Sequence, residues 1–249
     1  MAMYVYKDSR RTIEFLAKDA LKQDMDIRYY CPNPNCDAHM YLCGVDGLST
    51  AHFSANRQAF PHIEKCDYGS SNGFKPDNSD ENLFDFEMAL EDMLNPTNTT
   101  KKDKLSNAHK TGESNLKPLR TIRQIYDMCI AHSCTQTYNN KVIGQMLLDD
   151  RSEYMYPKGV FGYRIIKSKP KTGRFYNANE KEIHLVVPGS EKYEFILKVS
   201  SDELFRFFRD IVYNNRDKFI IVAGDWKSSG TYNVFQTKVT SKRQIKIIK

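Results

Sequence analysis

Along residues 160–249, short apolar runs of strand length alternate with turn residues, and one stretch changes to helical spacing. Residues 163–168, 182–187 and 193–199 are rich in β-branched, aromatic and apolar side chains. Lys169-Pro170 and Pro188-Gly189 punctuate the gaps, so each run is predicted as a strand. Ser201 then offers a hydroxyl N-cap, and Asp202 and Glu203 an acidic first turn. Leu204, Phe207, Phe208, Ile211 and Val212 recur on one helical face until Asn214-Asn215. Residues 219–223 read as a fourth strand, 224–230 as a glycine-bounded loop, 232–240 as a fifth strand, and 244–248 as a final pairing segment.

The order β-β-β-α-β-β is that of the OB-fold, a five-stranded Greek-key barrel that holds oligonucleotides or oligosaccharides. Charge selects between these. Residues 159–249 carry eighteen Lys or Arg against nine Asp or Glu, a surplus of nine cations, whereas the whole chain is +6; residues 1–158 are therefore −3. A polyanion is drawn to the barrel first. Between the first two strands, Lys167, Lys169, Lys171 and Arg174 supply cations beside the aromatics Phe175 and Tyr176, the composition that tracks phosphates and stacks bases. The loop before the last strand carries Trp226, the one tryptophan, next to Lys227, and in an OB barrel the two loops flank one groove. Trp226 also suits a barrel-plugging role.

In the N-terminal part, residues 4–6 suit a short strand. Ser9 is predicted to cap a helix with Ile13, Phe15, Leu16, Ala20 and Leu21 on its apolar face, and residues 27–30 look extended. Met1-Ala2-Met3 is set aside. The densest chemical signal follows. Cys31 and Cys36 bracket Pro-Asn-Pro-Asn, a turn that aims two thiolates at one ion, and His62 and Cys66, four apart, would share a face of one helical turn. These four are assigned to a structural zinc. His52 is the alternative fourth ligand, although His52-Phe53 also suits a packed corner; Cys43 reads as a small buried hydrophobe. Ala17, Ala20, Tyr30-Cys31-Pro32, Cys36, His52-Phe53 and His62-x3-Cys66 together resemble the zinc module that begins the competence CoiA-like proteins of bacteria. The match covers about the first seventy residues. The resemblance implies a bacterial, intracellular protein that handles DNA, through a nuclease domain in that family.

Residues 77–92 interleave acidic and apolar positions as an amphipathic helix would, and residues 1–94 hold nine basic against sixteen acidic residues, so a protein partner suits this half better than phosphate. Residues 95–118 have few large apolar side chains and read as a flexible linker. Helices are predicted over 120–131 and 141–149. Cys129, His132 and Cys134 lack a fourth ligand nearby, and Cys129 belongs to the apolar stripe, so no second metal is assigned.

The expected fold is α+β: a helical, zinc-finger module (1–94), the linker (95–118), a helical lead-in (119–158), and an OB-like five-stranded barrel (159–249). No run of about 18 apolar residues suggests a membrane span. No basic segment followed by an apolar one suggests a secretory signal, so the expected location is the cytoplasm. The expected function is non-catalytic binding of single-stranded or distorted DNA or RNA. A Mg-dependent nuclease is the alternative, with Asp225 and Lys227 as a D-x-K motif and Glu182, Glu194 or Asp202 as its partner carboxylate. A protein-binding adaptor is the third reading.

Overall fold

The computed structural model describes residues 1–47, 49–56, 58–64, 66–69, 73–95, 118–188 and 192–248. The expected linker lies almost wholly outside them.

The chain begins in a sheet rather than a helical module. Strands β1 (Tyr4–Tyr6), β2 (Glu14–Leu16), β3 (Tyr29–Tyr30), β4 (His39–Cys43) and β5 (His52–Ala55) lie in the order β2-β1-β3-β4-β5, antiparallel throughout. The helix expected after Ser9 is absent because the Asp8 carboxylate accepts the backbone N–H groups of Thr12 and Ile13 (2.8–3.2 Å). Arg11 takes a left-handed φ of 57°, so the chain reverses into the β1–β2 hairpin. Such local side-chain bonds compete with helix formation. Residues 1–3 are structural: Ala2 is fully buried and exchanges both backbone hydrogen bonds with Phe53.

Two α-helices follow. α1 (Phe86–Leu94) starts on the Asp85 side chain, which accepts from Met88 N, and α2 (Ile122–Ala131) starts on a Thr121–Gln124 capping box. Next come the hairpin β6 (Thr137–Tyr138) and β7 (Lys141–Val142), the single turn α3 (Ile143–Met146) and β8 (Leu147–Leu148). The helix expected over 141–149 is cut to α3 because Leu147 and Leu148 pair in parallel with Ile165 and Ile166.

The C-terminal part is a closed five-stranded barrel. Its strands are β9 (Gly162–Pro170), then, past the short β10 (Tyr176–Asn177), β11 (Glu182–Val186), β12 (Glu194–Val199), and, after α4 (Asp202–Asn214), β13 (Phe219–Ser228) and β14 (Val234–Val239). The ring runs β9-β11-β12-β14-β13 and returns to β9. Every pair is antiparallel except β12–β14. β15 (Ile245–Ile248) adds to β13 outside the ring. Ser201 caps α4 as its sequence predicts, its hydroxyl accepting Leu204 N at 3.3 Å.

The stretch 224–230, expected as a loop, is mostly strand: β13 continues to Ser228. Gly224 is a packing glycine there, since a Cβ would lie 2.6 Å from the Thr237 hydroxyl. Thr237 thus packs directly on the β13 backbone, an approach only glycine admits.

Two cores meet on β9 and β13. Ile166, Ile220, Val222 and Trp226 point into the barrel with Phe195, Leu197 and Phe208, whereas Ile165, Ile221 and Ala223 point outward into a core shared with the N-terminal sheet, α1 and α2. Alternate side chains of one strand thereby serve both cores. Burial on both faces explains the unbroken apolar run 219–223. Residues 119–147 therefore pack largely with the N-terminal sheet, while Leu148, Tyr156 and Val160 join the barrel interior.

Candidate metal centre and barrel face

Cys31 follows β3, and the turn to Cys36 closes through Cys36 N to Asn33 O (3.0 Å) and Asn35 N to Asn33 Oδ1 (2.9 Å). Arg11, carried on the β1–β2 turn, donates to the carbonyls of Cys31 (2.9 Å) and Cys36 (3.0 Å) and so clamps both ligand residues from behind. His62 and Cys66 come from a non-helical turn, closed by Cys66 N to Ile63 O (3.2 Å), instead of the helical turn their spacing suggests. They converge nonetheless. The donor atoms of Cys31, Cys36, His62 and Cys66 all lie within 4.8 Å of one another. Cys31 Sγ is 3.7 Å from Cys66 Sγ and 3.5 Å from His62 Nδ1, and Cys36 Sγ is 3.4 Å from His62 Nδ1.

Separations of this size suit the edges of a tetrahedron around one ion. Metal–ligand bonds of about 2.3 Å to sulfur and about 2.0 Å to nitrogen give S···S edges of about 3.8 Å and S···N edges of about 3.5 Å. The cysteines are free, and three of the four ligand residues are buried. A hydrogen bond from the Cys31 thiol, reinforced by His62 against the opposing effect of burial, holds Cys66 well below the usual thiol range, the direction that favours a thiolate ligand. The shared hydrogen bond and burial push Cys31 up. The residues thus fit a metal ion. His52 stands apart, its Nδ1 on Thr50 O at 2.8 Å, and Cys43 is half-buried with Sγ 3.7 Å from Tyr41 O. Cys129, His132 and Cys134 form no second cluster among the described residues: His132 Nδ1 sits on Met128 O (2.9 Å) and Cys134 Sγ on Arg151 O (3.5 Å).

The eight barrel residues expected to meet nucleic acid divide. Trp226 is 1% exposed; its indole crosses Phe195 edge to face at 5.0 Å between centroids and donates to Arg164 O at 3.2 Å, so it plugs the barrel and cannot stack a base. Phe175 is buried against Tyr176 and Tyr213, part of an aromatic clasp between the β9–β11 connection and α4. Lys167 is buried too, paired with Asp67 at 2.9 Å and lying over the Phe219 ring. Arg174 and Trp226 share no groove: Trp226 pairs with Gly162 at the start of β9, whereas Arg174 lies beyond its end. Lys169 lies over Phe219, Lys171 pairs with Glu194 at 2.6 Å, and Arg174 donates to Tyr176 O at 3.4 Å. Tyr176 and Lys227 remain on the surface.

The outer face of β11, β12 and β14 holds three cross-strand rows: Glu182, Lys198 and Lys238; His184, Ile196 and Gln236; Val186, Glu194 and Val234. Lys171 N bonds His184 O at one flank and Glu194 N bonds Asn233 O at the other (both 3.0 Å), so the connections before β11 and before β14 border this face. Tyr232, in the second connection, is 90% exposed. The carboxylates here have local partners: Glu182 with Lys198 (3.2 Å), Glu194 with His184 (2.7 Å) and Lys171, Asp202 with Lys181 (2.9 Å). Asp225 pairs with Lys227 itself at 3.1 Å. The three carboxylates considered as partners of Asp225 are thus each engaged with a cation other than Lys227.

Sequence reasoning passed over a second set of residues. Arg151 pairs with the buried Asp149 at 2.8 Å and donates to the hydroxyls of Tyr4 (3.3 Å) and Tyr68 (3.2 Å) and to the carbonyls of His132 (3.1 Å) and Cys129 (3.2 Å). Burial pushes Tyr4 up to about 12 despite Arg151. An Arg two residues from an Asp carries no local mark of burial, so nothing in the chain announced this hub.

Comparison with known proteins finds no matching family model, and no curated protein or solved structure matches the chain. No helix of the described residues is long and apolar enough to cross a membrane.

Proposed function

We propose that this chain is a zinc-stabilised, non-catalytic nucleic-acid-binding protein whose barrel holds single-stranded or distorted DNA or RNA on the outer face of β11, β12 and β14. The observation that carries the reading is the closure order of the barrel. Numbered within the barrel it is 1-2-3-5-4-1, with strands 3 and 5 parallel and a helix between strands 3 and 4, the OB arrangement, which binds oligonucleotides on strands 2 and 3. The cation surplus of residues 159–249 supports a polyanion over a sugar. In the row Glu182, Lys198 and Lys238, Lys198 already pairs with Glu182 at 3.2 Å, so Lys238 beside it is the surplus cation of the row that an anion can meet. Tyr232 takes the stacking role first given to Trp226, with Lys169, Lys171, Arg174, Tyr176 and Lys227 at the margins. The likeness of the N-terminal pattern to CoiA-like modules supports DNA as ligand and a bacterial, cytoplasmic setting. The acidic N-terminal half suits a protein partner.

Zinc is the ion that best suits three thiolates and one imidazole in a closed tetrahedral site. Cys31, Cys36, His62 and Cys66 hold it, and it supplies folding energy and no chemistry of turnover. Elemental analysis should find one equivalent; folding that is indifferent to a strong chelator refutes the assignment.

Anisotropy of labelled single-stranded and duplex oligonucleotides, titrated from about 50 to 200 mM salt, tests the ligand. Binding should weaken steeply, and Lys198→Glu with Lys238→Glu should lower the log–log salt slope by about 1.4, about 0.7 per phosphate contact on a single strand. Tyr232→Ala should cost about 1–3 kcal/mol at any salt. Binding that ignores salt favours a protein ligand and refutes the reading.

A further inference from the structure

The two residues that follow the ligand Cys66 both reach out of the metal turn. Asp67 meets Lys167 of β9 at 2.9 Å, and Lys167 is only 5% exposed, its ammonium 4.4 Å from the centre of the Phe219 ring. Tyr68 bonds the Tyr4 hydroxyl at 2.6 Å and accepts from Arg151 at 3.2 Å, and Arg151 is anchored to Asp149, which is fully buried. The turn itself has little slack: Gly69 N bonds Cys66 O at 3.0 Å, and a Cβ on Gly69 would already stand 3.2 Å from that carbonyl. Consecutive side chains thus run from one metal ligand to the barrel wall and to the segment that enters it.

We infer that the metal centre is the latch that docks the N-terminal sheet on the barrel. This rests on the metal-binding reading above. An ion fixes Cys66, and Cys66 in turn holds Asp67 and Tyr68 within reach of Lys167 and Arg151. Released from the ion, a turn without helix or strand regains its backbone freedom. Buried charges and hydroxyls repay their desolvation only where their partners are held in place, so the Asp67–Lys167 pair and the Tyr68–Arg151 bond open together with the turn. Lys167 and Arg151 then face solvent. Because coupling of this kind is reciprocal, loosening the Asp67 and Tyr68 contacts also weakens metal binding by the same factor.

Hydrogen exchange on the full-length protein, zinc-loaded, chelated, and chelated then resupplied with zinc, tests the latch. Chelation should raise exchange about tenfold or more in residues 147–152 and 163–170, leave the barrel strand 194–199 protected, and be reversed by zinc. The double variant Asp67→Asn, Tyr68→Phe keeps all four ligands. It should retain one equivalent of zinc, bind it about tenfold more weakly against a chromophoric chelator, and show raised exchange at 147–152 and 163–170 while loaded. Exchange confined to residues 29–69, loss of protection throughout the barrel, or an unchanged zinc affinity in the double variant would each overturn the latch. Elemental analysis of the wild-type chain comes first: finding no zinc overturns the metal reading and the latch with it, whereas zinc with unaltered exchange overturns the latch alone.

Discussion

Replacing Trp226 separates a barrel plug from a base-stacking platform. The indole is 1% exposed, packs edge to face on Phe195 and donates to Arg164 O at 3.2 Å. Trp226→Ala removes a large buried side chain and leaves a cavity that a closed barrel relaxes into poorly, a loss of about 3–5 kcal/mol. Trp226→Phe keeps most of the ring volume but strands the Arg164 carbonyl, costing about 1–3 kcal/mol. At about 2–4 °C per kcal/mol for a chain of this size, the alanine variant should melt roughly 6–20 °C lower. Urea unfolding followed by circular dichroism reads both variants. Since Trp226 is the only tryptophan, native fluorescence reports on it alone: emission should be blue-shifted, resist acrylamide, and stay unchanged when an oligonucleotide binds. Strong quenching by acrylamide in the folded protein would refute this reasoning. So would a phenylalanine variant of native stability that no longer binds oligonucleotide.

Two further perturbations probe the polar structure. Arg151→Met strips the buried Asp149 of its counter-ion and should destabilise by about 3–5 kcal/mol, read from urea midpoints; a loss under 1 kcal/mol would mean that the hub is ornamental. On the barrel face, burial pushes the Glu194 carboxyl up, but hydrogen bonds from Lys171 and His184 and their charges outweigh it, leaving Glu194 below the usual glutamate range. A carboxylate depressed in the folded state stabilises above its unfolded value of about 4.3 and loses that contribution as pH falls through the folded one. Glu194→Gln should therefore flatten the acid limb below about pH 4.3; midpoints that fall as steeply as in the wild type would contradict it.

Local signals were enough for most elements of the barrel, though not for the run of β13 through 224–228, and for the cluster of Cys31, Cys36, His62 and Cys66. A run such as 194–199 alternates at a period of two, and Ser201 with Asp202 and Glu203 marks a helix start, because caps and side-chain periodicity act within a few residues. The cluster of Cys31, Cys36, His62 and Cys66 was legible because metal chemistry demands particular residue types at short spacings, even though His62 and Cys66 reach their places from a turn and not a helix. Period two also says that a strand has two faces. It does not say what covers the outer one. Lys167 and Trp226 looked exposed for that reason: Lys167 precedes Ser168 and Trp226 lies between Asp225 and Lys227, while what buries them, Asp67 and Phe195, arrives from 100 and 31 positions away. The same holds for Arg151, whose partners come from the first strand, the metal turn and α2. Burial and ion pairing are settled by which segments meet in space, and only the closed barrel and the sheet packed on its flank decided that.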